Sequence, residues 1–174
     1  DWIKKSLRFL GFLTRASKKG IKMKRVYVNE AWCLGCHLCE YNCAFANSGE
    51  ADMVKALMNK PIFPRICVDG DERVTFALSC RHCKDPLCVK SCISGALSVK
   101  DGAVCIDSNR CVGCLTCILV CPYGALSRSD SGTVQKCELC LKNACGEPAC
   151  VKGCPNGAIV YEERCGDWKA ILAT

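Results

Sequence analysis

Sixteen of the twenty cysteines in this 174-residue chain fall into four consecutive quartets. Cys33, Cys36, Cys39 and Cys43 read C-x2-C-x2-C-x3-C, and Cys111, Cys114, Cys117 and Cys121 repeat that run. Cys80, Cys83, Cys88 and Cys92 read C-x2-C-x4-C-x3-C, and Cys137, Cys140, Cys150 and Cys154 read C-x2-C-x9-C-x3-C. Thiolates this close together in sequence can wrap a tight loop around three iron corners of one iron–sulfur cube, which leaves the fourth corner to a distant cysteine. The chemistry this points to is one-electron transfer at cubane clusters.

In runs of this type the fourth cysteine, usually followed by proline, ligates the other cluster of a pair, so two runs staple each other. Cys121-Pro122 and Cys154-Pro155 keep that signature. Cys43 is followed by Ala44 and Cys92 by Ile93, which removes a rigid turn without removing a ligand. A disulfide framework would also make a cysteine-rich chain, but it has no reason to repeat the x2, x2, x3 step, and no secretory leader is read here. Structural zinc uses C-x2-C knuckles in two pairs, and the triplets 33–39 and 111–117 leave an extra thiolate in each.

The elements that must hold these loops are short. Half of the residues are apolar only when the cysteines are counted; without them about 67 remain for a conventional core. Much of the interior is therefore expected to be inorganic, with folding coupled to cluster binding. Cysteines in this number also suit a reducing, anoxic setting.

An internal repeat follows three of the closing cysteines: Ser94-Gly95-Ala96-Leu97, Tyr123-Gly124-Ala125-Leu126 and Asn156-Gly157-Ala158-Ile159, each a turn into a strand. Strands are also predicted at Val26–Val28 and Ala103–Ile106, with Lys100-Asp101-Gly102 as a hairpin turn. Each half of the pattern reads as strand, cysteine loop, short helix, strand. The insertion 44–79 is predicted to hold a helix near Ala51–Asn59 and a hairpin from Arg65–Val68 to Val74–Leu78. A turn at Ser129–Gly132 joins the third and fourth quartets.

Charge marks a boundary. Residues 1–25 carry nine Lys or Arg against Asp1, a net of +8, whereas the other 149 residues carry 15 basic and 16 acidic side chains. Trp2, Ile3, Leu7, Phe9, Leu10 and Leu13 recur at helical intervals within that arm, which predicts a basic amphipathic helix. Its expected role is docking to an acidic partner or another copy; the alternatives are a helix packed back on its own domain or fraying in solvent, and membrane-surface attachment. Its apolar run falls far short of the roughly 20 residues of a membrane span. Beyond the arm no basic surplus remains for nucleic acid. The last stretch, 161–174, is expected to be a tail helix carrying Trp168.

On Cys33-Leu34-Gly35-Cys36-His37-Leu38-Cys39, Cys80-Arg81-His82-Cys83, Pro86-Leu87-Cys88-Val89, Cys111-Val112-Gly113-Cys114 and Lys136-Cys137-Glu138-Leu139-Cys140, residues 23–160 resemble the four-cluster ferredoxin-like electron-transfer subunits of oxidoreductases. The resemblance implies an α+β fold of two nested bacterial-ferredoxin-like double-cluster modules. The outer module would come from 26–50 and 130–160 and the inner from 74–127, within a domain spanning 26–160. It also implies four [4Fe-4S] clusters. One would be held by Cys33, Cys36, Cys39 and Cys154, and its partner by Cys137, Cys140, Cys150 and Cys43. The inner pair would use Cys80, Cys83, Cys88 and Cys121, and Cys111, Cys114, Cys117 and Cys92.

Four cysteines are left over. Cys145 copies the Cys83–Cys88 spacing after Cys140, but Cys150 stands four before Cys154, as Cys88 does before Cys92, and takes the ligand position. Cys67 and Cys105 are expected as buried small apolar residues, and Cys165 lies in the tail. His37 and His82 sit inside cysteine loops, where they are expected to hydrogen-bond cluster sulfur or face solvent. No base–nucleophile constellation is present, so the chain is not expected to catalyse on its own. The resemblance implies a cytoplasmic electron conduit between a catalytic subunit and a second redox protein. Carbon monoxide dehydrogenase or tungsten aldehyde oxidoreductase is favoured as the catalytic partner, ahead of formate dehydrogenase or hydrogenase. The competing expectation is a cluster-stabilised assembly or filament scaffold linked by the arm.

Overall fold

Short apolar runs make short strands, and in the computed structural model each strand pairs with one other. The structure describes residues 23–58, 61–71, 73–142 and 146–164. The predicted arm helix, the tail helix, Cys145 and Cys165 lie outside these residues. Among the described residues eight strands form four two-stranded antiparallel sheets: β1 (Arg25–Val28) with β8 (Ile159–Glu162), β2 (Ile66–Gly70) with β3 (Thr75–Ser79), β4 (Leu97–Lys100) with β5 (Ala103–Ile106), and β6 (Leu126–Arg128) with β7 (Val134–Lys136). Three of these sheets are local hairpins. The β4–β5 turn has Asp101 and Gly102 at φ +49° and +81°, the left-handed pair that matches strand twist.

The fourth sheet closes the chain on itself, since β1 and β8 run in register from Arg25 opposite Glu162 to Val28 opposite Ile159. Between the strands stand α1 (Leu38–Ala46), α2 (Met53–Leu57), α3 (Leu87–Lys90), α4 (Thr116–Leu119) and α5 (Ala149–Lys152). The predicted helix near 51–59 is thus a single short turn, started by the Asp52 carboxylate, which accepts from the N–H of Val54 and Lys55 at 2.8 and 3.1 Å. The other four helices each follow a cysteine loop. The i, i+4 periodicity of α1 puts Cys39 and Cys43 on its one buried face. α1 packs on α5, and α3 on α4.

Two cores result. One gathers Val26, Ile66, Ala77, Ala103, Leu139 and Ile159 around Cys39, Cys43, Cys80, Cys137 and Cys150. The other gathers Leu97, Val104, Ile106, Leu126 and Val134 around Cys117, with Cys88, Cys92, Cys111 and Cys121 packed against it. The insertion 44–79 is therefore structural: Ile66 and Ala77 come from it. β7, whose three residues carry no visible alternation of their own, enters the second core by pairing with β6. Cys67 corrects the expectation of burial. β2 alternates, so Ile66 turns inward and Cys67 is exposed, while Cys105 is half-buried. Among the described residues no helix is long and apolar enough to cross a membrane.

Candidate metal centres

A loop that surrounds a compact anionic group must turn its N–H groups inward, which needs left-handed backbone. Six described non-glycine residues have positive φ, and five of them lie in cysteine loops: His37, His82, Leu115, Leu139 and Cys140. The first and third loops match closely, with Gly35 and His37 at +61° and +59°, and Gly113 and Leu115 at +67° and +60°. Such conformations cost energy for residues other than glycine and persist where function over-determines them. The tight loop expected from the spacing is thus built twice with the same backbone. Gly113 has a second constraint, since a Cβ there would stand 2.7 Å from the Gly132 carbonyl oxygen.

The cysteines come together in groups that mix quartets. Cys33, Cys36 and Cys39 line one cavity with Cys154. Cys111, Cys114 and Cys117 line another with Cys92. Burial pushes up the thiol of Cys150, and the nearby charges of Cys137, Cys43 and Cys140 push it the same way. Cys43 is raised by burial and then by Cys140. Cys83 and Cys88 are raised by burial and by both Cys80 and Cys121. Closing cysteines therefore stand with the triplet of another quartet in all four places. The cause is helix pairing: α1 against α5 carries Cys43 and Cys154 across, and α3 against α4 carries Cys92 and Cys121. Gly153 permits the first approach, because a Cβ there would meet the Asn42 side-chain nitrogen at 2.3 Å.

The groups also form a series. Cys150 feels the charge of Cys39, and Cys137 feels that of Cys80, so the group of Cys43, Cys137, Cys140 and Cys150, second in the series, neighbours a first group of Cys33, Cys36, Cys39 and Cys154 and a third of Cys80, Cys83, Cys88 and Cys121. Cys88, Cys121, Cys92 and Cys111 share one core, which joins the third to the fourth. Cys36 and Cys114, in the two end groups, are exposed, whereas Cys137, Cys150 and Cys80 in the middle are buried.

Burial with the Glu40 charge pushes the Cys39 thiol up to about 12, and burial alone is the main cause that takes Cys137 to about 12. Thiols shifted this way keep their protons at neutral pH, and a metal bound there would have to displace them. Cys92 and Cys114 run the other way. Burial raises Cys92, but hydrogen bonds from the backbone of Leu97, Ala96 and Ser94 and from the Ser94 hydroxyl outweigh it; Thr116 lowers Cys114 through its backbone and hydroxyl. The Arg65 and Leu139 N–H groups donate to the sulfurs of Cys43 and Cys137 at 3.3 and 3.4 Å. Among the described residues no three of His, Cys, Asp and Glu converge as ligands of one metal ion would. Four thiols set around a cavity and met by N–H donors fit a cube of iron and sulfide.

The two histidines sit in different surroundings, and only His37 faces solvent. His82 is fully buried, and its Nδ1 accepts from the Val104 N–H at 3.0 Å. Burial, then the Lys136 and Arg25 charges, depress its pKa to about 3, so it is neutral and carries its proton on Nε2. That Nε2 has no protein partner among the described residues. An orphaned buried donor two residues from Cys80 and one from Cys83 suits a sulfur acceptor. His37 bonds Glu40 instead, Nδ1 to Oε2 at 2.7 Å. Glu40 in turn accepts the Val68 N–H at 2.6 Å.

Three supporting charges were not anticipated from sequence. Glu138 is 5% exposed; it accepts from the Ile106 N–H at 2.9 Å and from Arg65 Nη1 at 3.1 Å, tying β5 and the insertion to the fourth loop. Glu40 does the same for β2 in the first loop. Their shared signal is Cys-Glu, at Cys39-Glu40 and Cys137-Glu138. Lys136 is 1% exposed and donates to the carbonyls of Val104 and Cys137. Its signal is a lysine on the inward register of β7, one residue after Gln135 and two after Val134.

Residues 72–164 match the family model described as 4Fe-4S dicluster domain. Over 150 residues the chain is 38% identical to an "Iron-sulfur protein" of Rhodospirillum rubrum, covering 77% of this chain and 79% of that one. It is 33% identical over 148 residues to the "Electron transport protein HydN" of Escherichia coli, covering 76% and 83%. The "NADH-dependent phenylglyoxylate dehydrogenase subunit beta" of Aromatoleum evansii is 37% identical over 155 residues, which are 82% of this chain and 32% of that one.

Proposed function

Because this chain belongs to the 4Fe-4S dicluster domain family and is a non-catalytic iron–sulfur electron-transfer protein, we propose that it relays electrons through four 4Fe-4S clusters between a catalytic oxidoreductase subunit and a second redox partner. The observation that carries this reading is the series of four cysteine groups with exposed thiols at both ends. Group one is Cys33, Cys36, Cys39 and Cys154; group two is Cys43, Cys137, Cys140 and Cys150. Group three is Cys80, Cys83, Cys88 and Cys121; group four is Cys92, Cys111, Cys114 and Cys117. The first two make an outer module and the last two an inner one nested within it. Each cluster, when bound, takes up and passes on one electron at a time.

The protein's part is placement and tuning. Left-handed loops aim N–H groups at the sulfurs, the paired helices deliver the closing ligands, and the apolar residues around Cys137 and Cys150 keep water from the middle of the series. Electrons enter and leave at the Cys36 and Cys114 ends, where a partner surface can come close. A cytoplasmic catalytic partner of the carbon monoxide dehydrogenase or tungsten aldehyde oxidoreductase class, ahead of formate dehydrogenase or hydrogenase, follows from the resemblance of the cysteine motifs. The basic segment 1–25 serves as its docking arm.

Anaerobic titration with a stoichiometric low-potential reductant tests this. About four electrons should be taken up per chain, one per cubane. Uptake of two or fewer would overturn the four-cluster relay.

A further inference from the structure

A buried ammonium requires a counter-charge, and Lys136 has none among the described residues. Its Nζ is held by two carbonyls, Val104 on β5 and its own neighbour Cys137. Among the described residues no carboxylate forms an ion pair with it. The nearest in sequence, Glu138, is engaged by Arg65 at 3.1 Å and Lys142 at 3.6 Å. The lysine lies at the seam between the second and third cysteine groups. Cys137 belongs to group two, and Val104 donates its N–H to His82 in the loop of group three. One residue of β5 is thus gripped on its carbonyl from one side and on its N–H from the other.

Resting on the four-cluster reading above, we propose that Lys136 is the shared counterion of the two middle clusters, raising both their reduction potentials relative to the end clusters. A cube ligated by four thiolates is anionic, and each added electron deepens that charge. A fixed cation buried between two such cubes stabilises the reduced form of each. The burial of Lys136 strengthens the effect and limits screening. The consequence for function is a series whose middle accepts electrons more readily than its ends, so that charge rests inside the protein, away from oxidants.

The test is a potentiometric titration of the whole chain, purified without oxygen and followed by electron paramagnetic resonance, for the unsubstituted protein, Lys136→Met and Lys136→Arg. Iron content and four reducible couples in the unsubstituted protein check the cluster reading separately. In Lys136→Met, two couples should become at least tenfold harder to reduce, about 59 mV for a one-electron step, with the other two within threefold. Lys136→Arg should leave all four within threefold. Unchanged couples in Lys136→Met, or an equal shift of all four, would overturn the inference. If Lys136→Met does not retain its clusters, selective loss of two with Lys136→Arg intact supports the counterion, whereas loss in both variants, or of all four in Lys136→Met, overturns it.

Discussion

Removing the Glu138 carboxylate should loosen the seam between the two cores. Glu138→Ala strands one buried and one half-buried donor. The Ile106 N–H, now 2.9 Å from Oε1, would cost roughly 1–3 kcal/mol unsatisfied. Arg65, held at 3.1 Å and already without a partner on Nε, would lose a charged hydrogen bond of roughly 1.5–3 kcal/mol. Lys142, at 3.6 Å and largely exposed, adds about 0–1 kcal/mol. These parts sum to roughly 2.5–7 kcal/mol, a range that contains the roughly 3–5 kcal/mol usual for breaking a buried pair from one side. Glu138→Gln keeps an acceptor for Ile106 and gives up only the charge, roughly 1–2 kcal/mol. Iron release to a chelator, followed by loss of visible absorbance under anaerobic conditions, reads this directly. The alanine variant should release iron at least a hundredfold faster and the glutamine variant on the order of tenfold faster, at 1.4 kcal/mol per decade. A glutamine variant as damaged as the alanine variant, or an alanine variant within twofold of the parent, would refute the reasoning.

The crossing of closing cysteines predicts which substitutions are redundant. Cys36→Ser and Cys154→Ser should each lower iron from about sixteen to about twelve per chain, and the double variant should fall no further, whereas Cys154→Ser with Cys140→Ser should fall to about eight; additive loss in the first pair would contradict the grouping. Cys67→Ser and Cys105→Ser should keep the full complement by the same iron assay. Gly113→Ala must tolerate φ +67°, roughly 1–2 kcal/mol, and also shift the Gly132 backbone, so it should lose iron faster than Gly124→Ala, which has φ +60° but nothing within 4 Å of its Cβ. Gly70→Ala, whose Cβ would stand 2.2 Å from the Val74 carbonyl oxygen, should lower the thermal midpoint of cluster loss.

Local chemistry was legible before the structure. Cysteine spacing marked the four loops, and the Gly-Ala-aliphatic repeat marked β4, β6 and β8 because each turn and strand is contiguous. Pairing of β1 with β8 was not, since nothing local to Val26 or Ile159 names a partner more than 130 residues away. β7 escaped notice because three residues show no periodicity until β6 supplies a register. The supporting charges were hidden for a different reason. Glu40, Glu138 and Lys136 look like solvated residues in a charged sequence, and only tertiary contacts turn them inward to meet backbone groups of β2 and β5. His82 could equally have bonded sulfur or faced solvent, and its burial shows only once Val104 claims its Nδ1.

Whether sixteen thiolates in four mixed groups hold four cubes is decided most directly by counting iron and acid-labile sulfide per chain in protein purified without oxygen. About sixteen of each is the predicted result. Well under twelve irons, or zinc in their place, would contradict it.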